Sequence, residues 1–281
     1  MSLRRQLARR LAEINRRGFC EAPNESHAGS ATGATLAELL PDGREWKGER
    51  GVCWVLARDL GQRDDDGLVE RLRLVLAESS EGTQTWWSGS VPASACRDTV
   101  FPIAALDIET CGFFSVPVFL IGLLETDGCA MALCQGFARD YGEEAALLEW
   151  MAHRLRAVRG VVTFNGRSFD LPYLRDRQRY HRQRELDDIP HLDLLPVARR
   201  IWKPDLPDCR LQTLERHLTG AARFGDVPGR EIPDVYRTFV DTGNARHIAA
   251  VLEHNRRDLL TLMELLVASL EHGSRAPDEG R

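Results

Sequence analysis

Residues 103–109 read Ile-Ala-Ala-Leu-Asp-Ile-Glu, a short apolar run that carries two acids. A second apolar run occupies residues 118–124, and a turn at Thr126–Gly128 leads into a third run at residues 130–134. Short apolar runs that are separated by turn residues predict buried strands, and a short turn favours antiparallel pairing. We therefore expect a meander of three consecutive strands at the centre of the fold.

On the C-terminal side of the meander, helical and extended patterns alternate. Apolar positions recur at helical spacing over residues 141–158, and residues 160–165 form another apolar run. Residues 194–271 are mostly helical, with turns that contain Pro or Gly. Strands followed by a helix, another strand and further helices are typical of a layered α/β or α+β domain.

The texture of the sequence divides the chain into three regions. Residues 1–98 form an N-terminal region of unknown role, with a basic amphipathic helix, a Gly/Ser-rich loop, a strand at residues 51–57 and a helix at residues 66–79. Residues 99–272 form the main domain, and residues 273–281 are a polar tail. The N-terminal region carries no chemical motif, so the activity is expected in the main domain.

The composition is that of an ordinary globular protein. Of the 281 residues, 43% are hydrophobic and 28% are charged, which excludes a disordered or fibrous chain. No apolar stretch approaches the roughly 20 residues that a membrane span requires. The net charge of −5 provides no global positive field, although local basic residues or bound cations would still allow a nucleic-acid partner.

The seven cysteines form no C-x-x-C pair and no Cys/His spacing typical of zinc. Such a set indicates a reducing compartment, in which cysteines serve as small apolar residues. Residues 1–17 contain six arginines but no apolar segment of the kind that a secretory signal requires. We therefore expect a cytoplasmic protein.

Asp107 and Glu109 are two positions apart on the first predicted strand. Side chains at this spacing project from the same face, about 7 Å apart. Two carboxylates on an apolar strand repel each other, and burial of their charge is costly. A hard divalent cation such as Mg²⁺ would remove both penalties. Capping of a neighbouring helix, or pairing with arginines at an exposed strand end, would also explain these acids.

A third acid, Asp170, follows the strand that is predicted at residues 160–165. Ser168 is positioned to cap a helix that begins at Phe169, which would put Asp170 in the first helical turn. The helix dipole stabilises an acid in the first turn, so Asp170 does not need a catalytic role to explain its position. The structural and the chemical explanation both stay open at this point.

His254 and Asp258 lie four residues apart in the predicted C-terminal helix. Residues at this spacing lie one above the other on the same helical face. A surface hydrogen bond is the commoner explanation for such a pair. The pair would also place a metal ligand beside a group that can accept a proton from water.

In this order and on these elements, the acidic segments resemble the motifs of the DnaQ-like, DEDD-type 3′–5′ exonucleases of the RNase H-like superfamily. Within that superfamily the sequence is most similar to the YprB-like group, over residues 101–270. The segments that carry the resemblance are Leu106–Thr110, Phe164–Asn165, Phe169–Leu174, His191–Leu195, Arg210–Glu215 and His254–Asp258.

The resemblance implies an RNase H-like α/β fold, with a mixed central sheet of the antiparallel meander and parallel strands, flanked by helices. It identifies residues 99–272 as the exonuclease domain. Four acids would hold two divalent cations, Mg²⁺ or Mn²⁺, and these acids are Asp107, Glu109, Asp170 and Asp258. His254 would orient or deprotonate the attacking water. One departure is the four-residue spacing from His254 to Asp258, because the histidine subtype of these nucleases usually has five.

The implied substrate is a nucleic acid, DNA or RNA, with a single-stranded 3′ end, and no membrane is involved. The residues predicted to contact the substrate are Thr110, Asn165, Arg167 and Tyr173. A basic run at residues 175–184 would also bind a phosphate backbone, although a solvated helix face is the commoner explanation for such a run. Asp193 would serve as a helix cap and is not included among the metal ligands.

The predicted activity is therefore metal-dependent hydrolysis of phosphodiester bonds by a two-metal-ion 3′–5′ exonuclease. Two alternatives use the same scaffold. A structure-selective endonuclease would keep the metal ions but cut within a strand. A catalytically silent module would hold nucleic acid or a partner protein without cleavage, and the presence of all four acids and His254 disfavours it.

Overall fold

The computed structural model describes residues 34–60, 67–78, 101–112, 115–186, 189–220, 223 and 225–275. The predicted basic helix and the tail after Arg275 lie outside these residues. The strands are β1 Arg44–Gly48, β2 Gly51–Leu60, β3 Ile103–Thr110, β4 Val118–Thr126, β5 Met131–Phe137, β6 Gly160–Thr163 and β7 His191–Asp193. The α-helices are α1 Leu36–Leu39, α2 Leu68–Glu78, α3 Glu144–Leu155, α4 Asp170–Tyr180, α5 Leu194–Trp202, α6 Leu211–Thr219, α7 Ile232–Thr242 and α8 Ile248–Arg275.

The strands form one seven-stranded sheet in the order β1-β2-β5-β4-β3-β6-β7. β3 and β5 both pair antiparallel with β4, which confirms the predicted meander. β6 pairs parallel with β3, and β7 pairs parallel with β6. The predicted α/β fold, with a mixed sheet of antiparallel and parallel strands flanked by helices, is therefore confirmed.

The first two strands come from the N-terminal region. β2 pairs antiparallel with β5, from Trp54 opposite Phe137 to Leu60 opposite Met131. α2 contributes buried apolar side chains to the same cluster as α8. The strand predicted at residues 51–57 and the helix predicted at residues 66–79 are both present. The domain boundary at residue 98 stays a prediction, but the described residues before it extend the sheet and the core of the main domain.

Side chains on β3 alternate between two apolar clusters. Leu106 and Ile108 pack on one face together with residues of α3. Ile103 and Ala105 pack on the other face with residues of α2 and α8. Because side chains alternate along a strand, Asp107 and Glu109 follow Ile103 and Ala105 on the face that α8 covers.

α8 passes very close to the backbone of β4 at Gly122. This glycine pairs with Asp107 of β3. A Cβ atom at Gly122 would lie 2.1 Å from Asn255 Oδ1 and 2.7 Å from Leu259 Cδ1. The absence of a side chain at this position therefore lets α8 bring His254 and Asp258 toward the acids of β3.

The C-terminal helix extends further than the sequence predicts. We expect the helix to end before Gly273, yet α8 continues to Arg275. A glycine inside a helix costs only about 1 kcal/mol relative to alanine, so it does not have to end a helix. The predicted polar tail therefore begins within α8.

Candidate active site

Asp107 and Glu109 lie on β3, where their side chains are partly covered. Burial is the main reason that the pKa of Asp107 is raised well above its usual range, and the nearby charges of Asp258, Glu109 and Asp170 raise it further. Burial likewise raises the pKa of Glu109, and Asp258 and Asp170 add to this shift. The predicted acids therefore lie close enough to repel one another.

Asp170 is the first residue of α4 and is 5% exposed. The backbone of Ile108, which lies between the two acids of β3, is close enough to lower the pKa of Asp170, although burial outweighs this effect. Burial raises the pKa of Asp170 to about 7, and the charge of Asp193 contributes to this increase. The second motif therefore lies close to the first, because the charge of Asp170 also raises the pKa of Asp107 and Glu109.

The prediction that Ser168 caps α4 is wrong. The residue at the N-cap is Phe169, and no side chain caps the helix there. Ser168 instead lies in the turn before the helix, where its backbone N–H donates to the carbonyl of Asn165. Asp170 does lie in the first helical turn, as expected. The helix dipole would stabilise its charge there, but burial of the carboxylate near other acids acts in the opposite direction.

Helix α4 is fixed by a buried ion pair with α3. Arg177 donates to both carboxylate oxygens of Glu144, at 2.8 Å and 2.6 Å, and the side chains are 4% and 1% exposed. His181 lies 2.7 Å from Glu144 Oε2. Arg177 belongs to the basic run at residues 175–184, so at this position the explanation of a solvated helix face is wrong.

His254 and Asp258 extend from α8 toward the acids of β3. His254 Nε2 lies 3.4 Å from Asp258 Oδ2 and 3.9 Å from Glu109 Oε1. His254 is 6% exposed, so this pair does not form a solvated surface hydrogen bond. Together with Asp107 and Asp170, these residues come from three segments that are far apart in the sequence.

Sequence reasoning missed Asn255 as a functional side chain, although it lies between His254 and Asp258. Asn255 Nδ2 donates to Asp107 Oδ2 at 2.8 Å. The amide of Gln135 on β5 donates to Asn255 Oδ1, also at 2.8 Å. Gln135 thereby fixes the orientation of the Asn255 amide, and the only sequence signal was the position of Asn255 inside the third motif.

A group of charged residues between α6 and α7 was also missed. Asp226 Oδ1 lies 2.8 Å from His254 Nδ1. Arg223 Nη2 lies 2.6 Å from Asp258 Oδ1, and its Nη1 lies 3.2 Å from Asp226 Oδ2. Burial would raise the pKa of Asp226, but the contacts with His254 and Arg223 outweigh it and lower this pKa. No periodic pattern or motif distinguishes these residues in the sequence.

The predicted substrate contacts fall into two groups. Asn165 and Arg167 are exposed, and Asn165 adopts a left-handed backbone conformation with a φ of 65°. Tyr173 is buried, and its hydroxyl donates to the carbonyl of Val116. Thr110 is also buried and donates to the carbonyl of Gly112. The hydroxyls of Tyr173 and Thr110 both donate to backbone carbonyls within the protein, so their predicted role in substrate binding finds less support than that of Asn165 and Arg167.

Asp193 is a helix cap, as expected. Its Oδ1 accepts hydrogen bonds from the backbone N–H of Leu195 in α5 and from that of Asn165. Its Oδ2 accepts from the backbone N–H of Arg167. Both oxygens are therefore engaged by the backbone, which supports leaving Asp193 out of the metal set.

The donor chemistry of the acid cluster suits a hard divalent cation. All four acids offer oxygen, and burial together with the neighbouring acids raises the pKa of Asp107 and Glu109, so a bound cation would stabilise their charged forms. Within the described part of the chain, however, no three His, Cys, Asp or Glu side chains are grouped as a ready metal site. Asn255 and Arg223 instead contact oxygens of Asp107 and Asp258.

Comparison with known proteins agrees with this architecture. The family model of the RNase_H superfamily matches residues 104–269, more than half of the chain. The chain therefore belongs to the RNase_H superfamily. The matched span includes all four acids, His254 and Asp226.

A relative in the YprB-like group is also similar in sequence. The chain is 31% identical over 152 residues to the uncharacterized protein YprB of Bacillus subtilis (strain 168). This match covers 53% of the chain but only 37% of the relative. The matched part of the chain thus spans 37% of the length of that relative.

A solved structure with a similar fold is the family B DNA polymerase of the hyperthermophilic archaeon Pyrobaculum calidifontis. The TM-score is 0.49 at 15% sequence identity, over 63% of this chain and 27% of the polymerase. A likeness at this level carries no argument about function.

Within the described residues, no helix is long and apolar enough to cross a membrane.

Proposed function

We propose that the protein is a metal-dependent nuclease that hydrolyses phosphodiester bonds, and that it acts as a 3′–5′ exonuclease of the DEDD type. The observation that carries the proposal is the electrostatic coupling of Asp107 with Glu109, Asp170 and Asp258. A protein that clusters buried acids in this way gains stability from a bound cation, and a merely structural cluster would be costly to maintain.

The four acids would hold two divalent cations, Mg²⁺ or Mn²⁺. When bound, such a pair activates the attacking water and stabilises the leaving oxygen of an in-line displacement. Oxygen ligands favour Mg²⁺ or Mn²⁺ over zinc, which prefers sulfur and nitrogen. Asp107 and Glu109 would supply their carboxylates from one face of β3, and Asp170 and Asp258 would supply theirs from α4 and α8.

His254 is the proposed general base. Its Nε2 faces Glu109 and Asp258 at 3.9 Å and 3.4 Å, which is the side of the ring where an attacking water would lie between the acids. A neutral imidazole can accept the proton from that water. The four-residue spacing to Asp258 does not prevent this role, because both side chains extend from the same face of α8.

The proposed substrate is DNA or RNA with a single-stranded 3′ end. Asn165 and Arg167 are exposed in the turn that precedes Asp170, where a guanidinium could bind a phosphate next to the scissile bond.

The described cysteines are all free thiols, which supports the proposed cytoplasmic location.

The test is digestion of matched DNA and RNA oligonucleotides, each labelled at either the 5′ or the 3′ end, with Mn²⁺ and with chelator. We expect stepwise shortening from the 3′ end that requires the metal ion. Asp107→Asn should abolish it, and Asp42→Asn is the matched control, because Asp42 is an exposed acid next to β1. Equal activity of purified Asp107→Asn protein would refute the proposal.

Closed circular substrates distinguish the proposal from the two alternatives. A strict exonuclease leaves the circle intact, whereas a structure-selective endonuclease cuts it. A silent binding module degrades neither substrate and shows no heat of binding with Mn²⁺ in calorimetry, with or without oligonucleotide. Both of these results would contradict the proposed exonuclease.

A further inference from the structure

We propose that Asp226 is a positioning residue that holds the imidazole of His254 with its Nε2 atom toward Glu109 and Asp258. The inference rests on the proposed function, in which His254 receives the proton of the attacking water. It adds a residue from the segment between α6 and α7 to the four acids and the histidine.

The geometry indicates which ring nitrogen donates to Asp226. Asp226 Oδ1 lies 2.8 Å from His254 Nδ1. A carboxylate only accepts hydrogen bonds, so Nδ1 must be the donor in this contact. In the neutral imidazole the lone pair is then on Nε2, the nitrogen that faces the acids. Asp226 therefore selects the tautomer that can act as a base.

Asp226 is itself firmly held. Its second oxygen, Oδ2, lies 3.2 Å from Arg223 Nη1. The same guanidinium reaches Asp258 through Nη2 and Glu215 of α6 through Nε. The side chains of Arg223 and Asp226 are only 8% and 11% exposed. A carboxylate fixed on both oxygens can hold a ring orientation that a solvated carboxylate cannot.

The other contacts of His254 do not provide this orientation. Asp258 and Glu109 both face Nε2, at 3.4 Å and 3.9 Å. A half-turn of the ring about its Cβ–Cγ bond would exchange Nδ1 with Cδ2 and Nε2 with Cε1, so that a carbon atom would face Asp226. Of the contacts that the structure gives His254, only the one with Asp226 engages Nδ1.

The direct test is nitrogen NMR of the metal-free protein labelled with ¹⁵N-histidine, in which the signals of His254 are assigned by their loss in His254→Gln. We expect the neutral ring to carry its proton on Nδ1. In Asp226→Ala we expect a mixture of both tautomers. A wild-type ring with the proton on Nε2, or an unchanged tautomer in Asp226→Ala, would overturn the inference. This measurement does not depend on nuclease activity, so it separates a failure here from a failure of the proposed function.

Kinetics provides the second readout. Asp226→Asn and Asp226→Ala should lower kcat by about 10- to 100-fold with little change in KM. A carboxylate that orients a functional histidine through its other ring nitrogen typically contributes that much. Asp226→Glu should recover part of the loss. Asp234→Asn serves as the control, because Asp234 is an exposed acid on α7 that pairs with Arg237. Wild-type kcat in Asp226→Ala would overturn the inference, and thermal melting of each variant establishes that it is folded.

Discussion

Asn255 donates its side-chain amide to Asp107 across the contact between α8 and β3, with 2.8 Å between Nδ2 and Oδ2. The bond is possible because Gly122 leaves room for the Asn255 side chain beside the sheet. Gln135 donates to the other end of the amide, so that Asn255 presents its N–H group to Asp107. The first and third motifs are therefore connected by a polar side chain whose orientation is fixed on both sides.

Replacement of Asn255 by Leu should destabilise the protein and impair the site. The change removes the amide that donates to Asp107 and leaves Gln135 with its bond to the Leu252 carbonyl, at a cost of about 1–3 kcal/mol for the buried group that loses its partner. Urea unfolding measures the loss. Asn255→Asp is the companion variant, because it keeps the shape but adds a further negative charge to the cluster. An unchanged unfolding midpoint in both variants would show that this contact contributes nothing.

Asp107→Asn should stabilise the metal-free protein while it abolishes the activity. The raised pKa of Asp107 means that its charge is unfavourable in the folded state. A neutral amide of the same shape removes that repulsion, and each pKa unit is equivalent to about 1.4 kcal/mol. We expect a higher melting temperature at pH 7 with chelator, and Asp42→Asn as control should not show it. A lower melting temperature would contradict the electrostatic coupling of the acids.

The stability of the metal-free protein should depend on pH through Asp170. Its pKa is raised from 3.8 to about 7 in the folded state, so the folded protein binds this proton more tightly than the unfolded chain. The free energy of unfolding that this proton contributes is complete below pH 4 and is lost as the pH rises through 7. Asp170→Asn should remove this loss, and the difference between the two curves should grow between pH 4 and 7. Parallel curves would contradict the raised pKa.

Loss of the Arg177 guanidinium should destabilise α4. Arg177→Met would leave Glu144 buried with His181 as its remaining side-chain partner. Breaking a buried ion pair in this way typically costs about 3–5 kcal/mol. Chemical unfolding measures the cost, and Arg179→Met is the matched control, since Arg179 pairs with Glu185 at an exposed position on the same helix. Equal stability of the two variants would show that the buried pair does not anchor the helix that carries Asp170.

Local patterns predicted the centre of the fold. The meander follows from apolar runs and a tight turn, and the face shared by Asp107 and Glu109 follows from the alternation of side chains on a strand. The attachment of β2 to β5 could not be predicted in this way, because 70 residues lie between the two strands and neither pattern specifies its partner. The N-terminal region therefore had no assigned place in the sheet.

The site was predicted only where it lies on regular elements. Asp170 and His254 belong to motifs on a helix start and a helix face. Asp226 and Arg223 lie between helices, where no period marks a side chain as buried, and Asp226 meets His254 from 28 residues away. The burial of Arg177 was missed because a charge run does not reveal which of its members has a buried partner.

The most direct test of the account is the location of Mn²⁺ by anomalous scattering from crystals soaked in the ion, with and without a short oligonucleotide. The account predicts manganese peaks within coordination distance of Asp107, Glu109, Asp170 and Asp258, about 4 Å apart when two ions are bound. Manganese that binds elsewhere, or is absent from these carboxylates in a protein that still degrades the oligonucleotide, would contradict it.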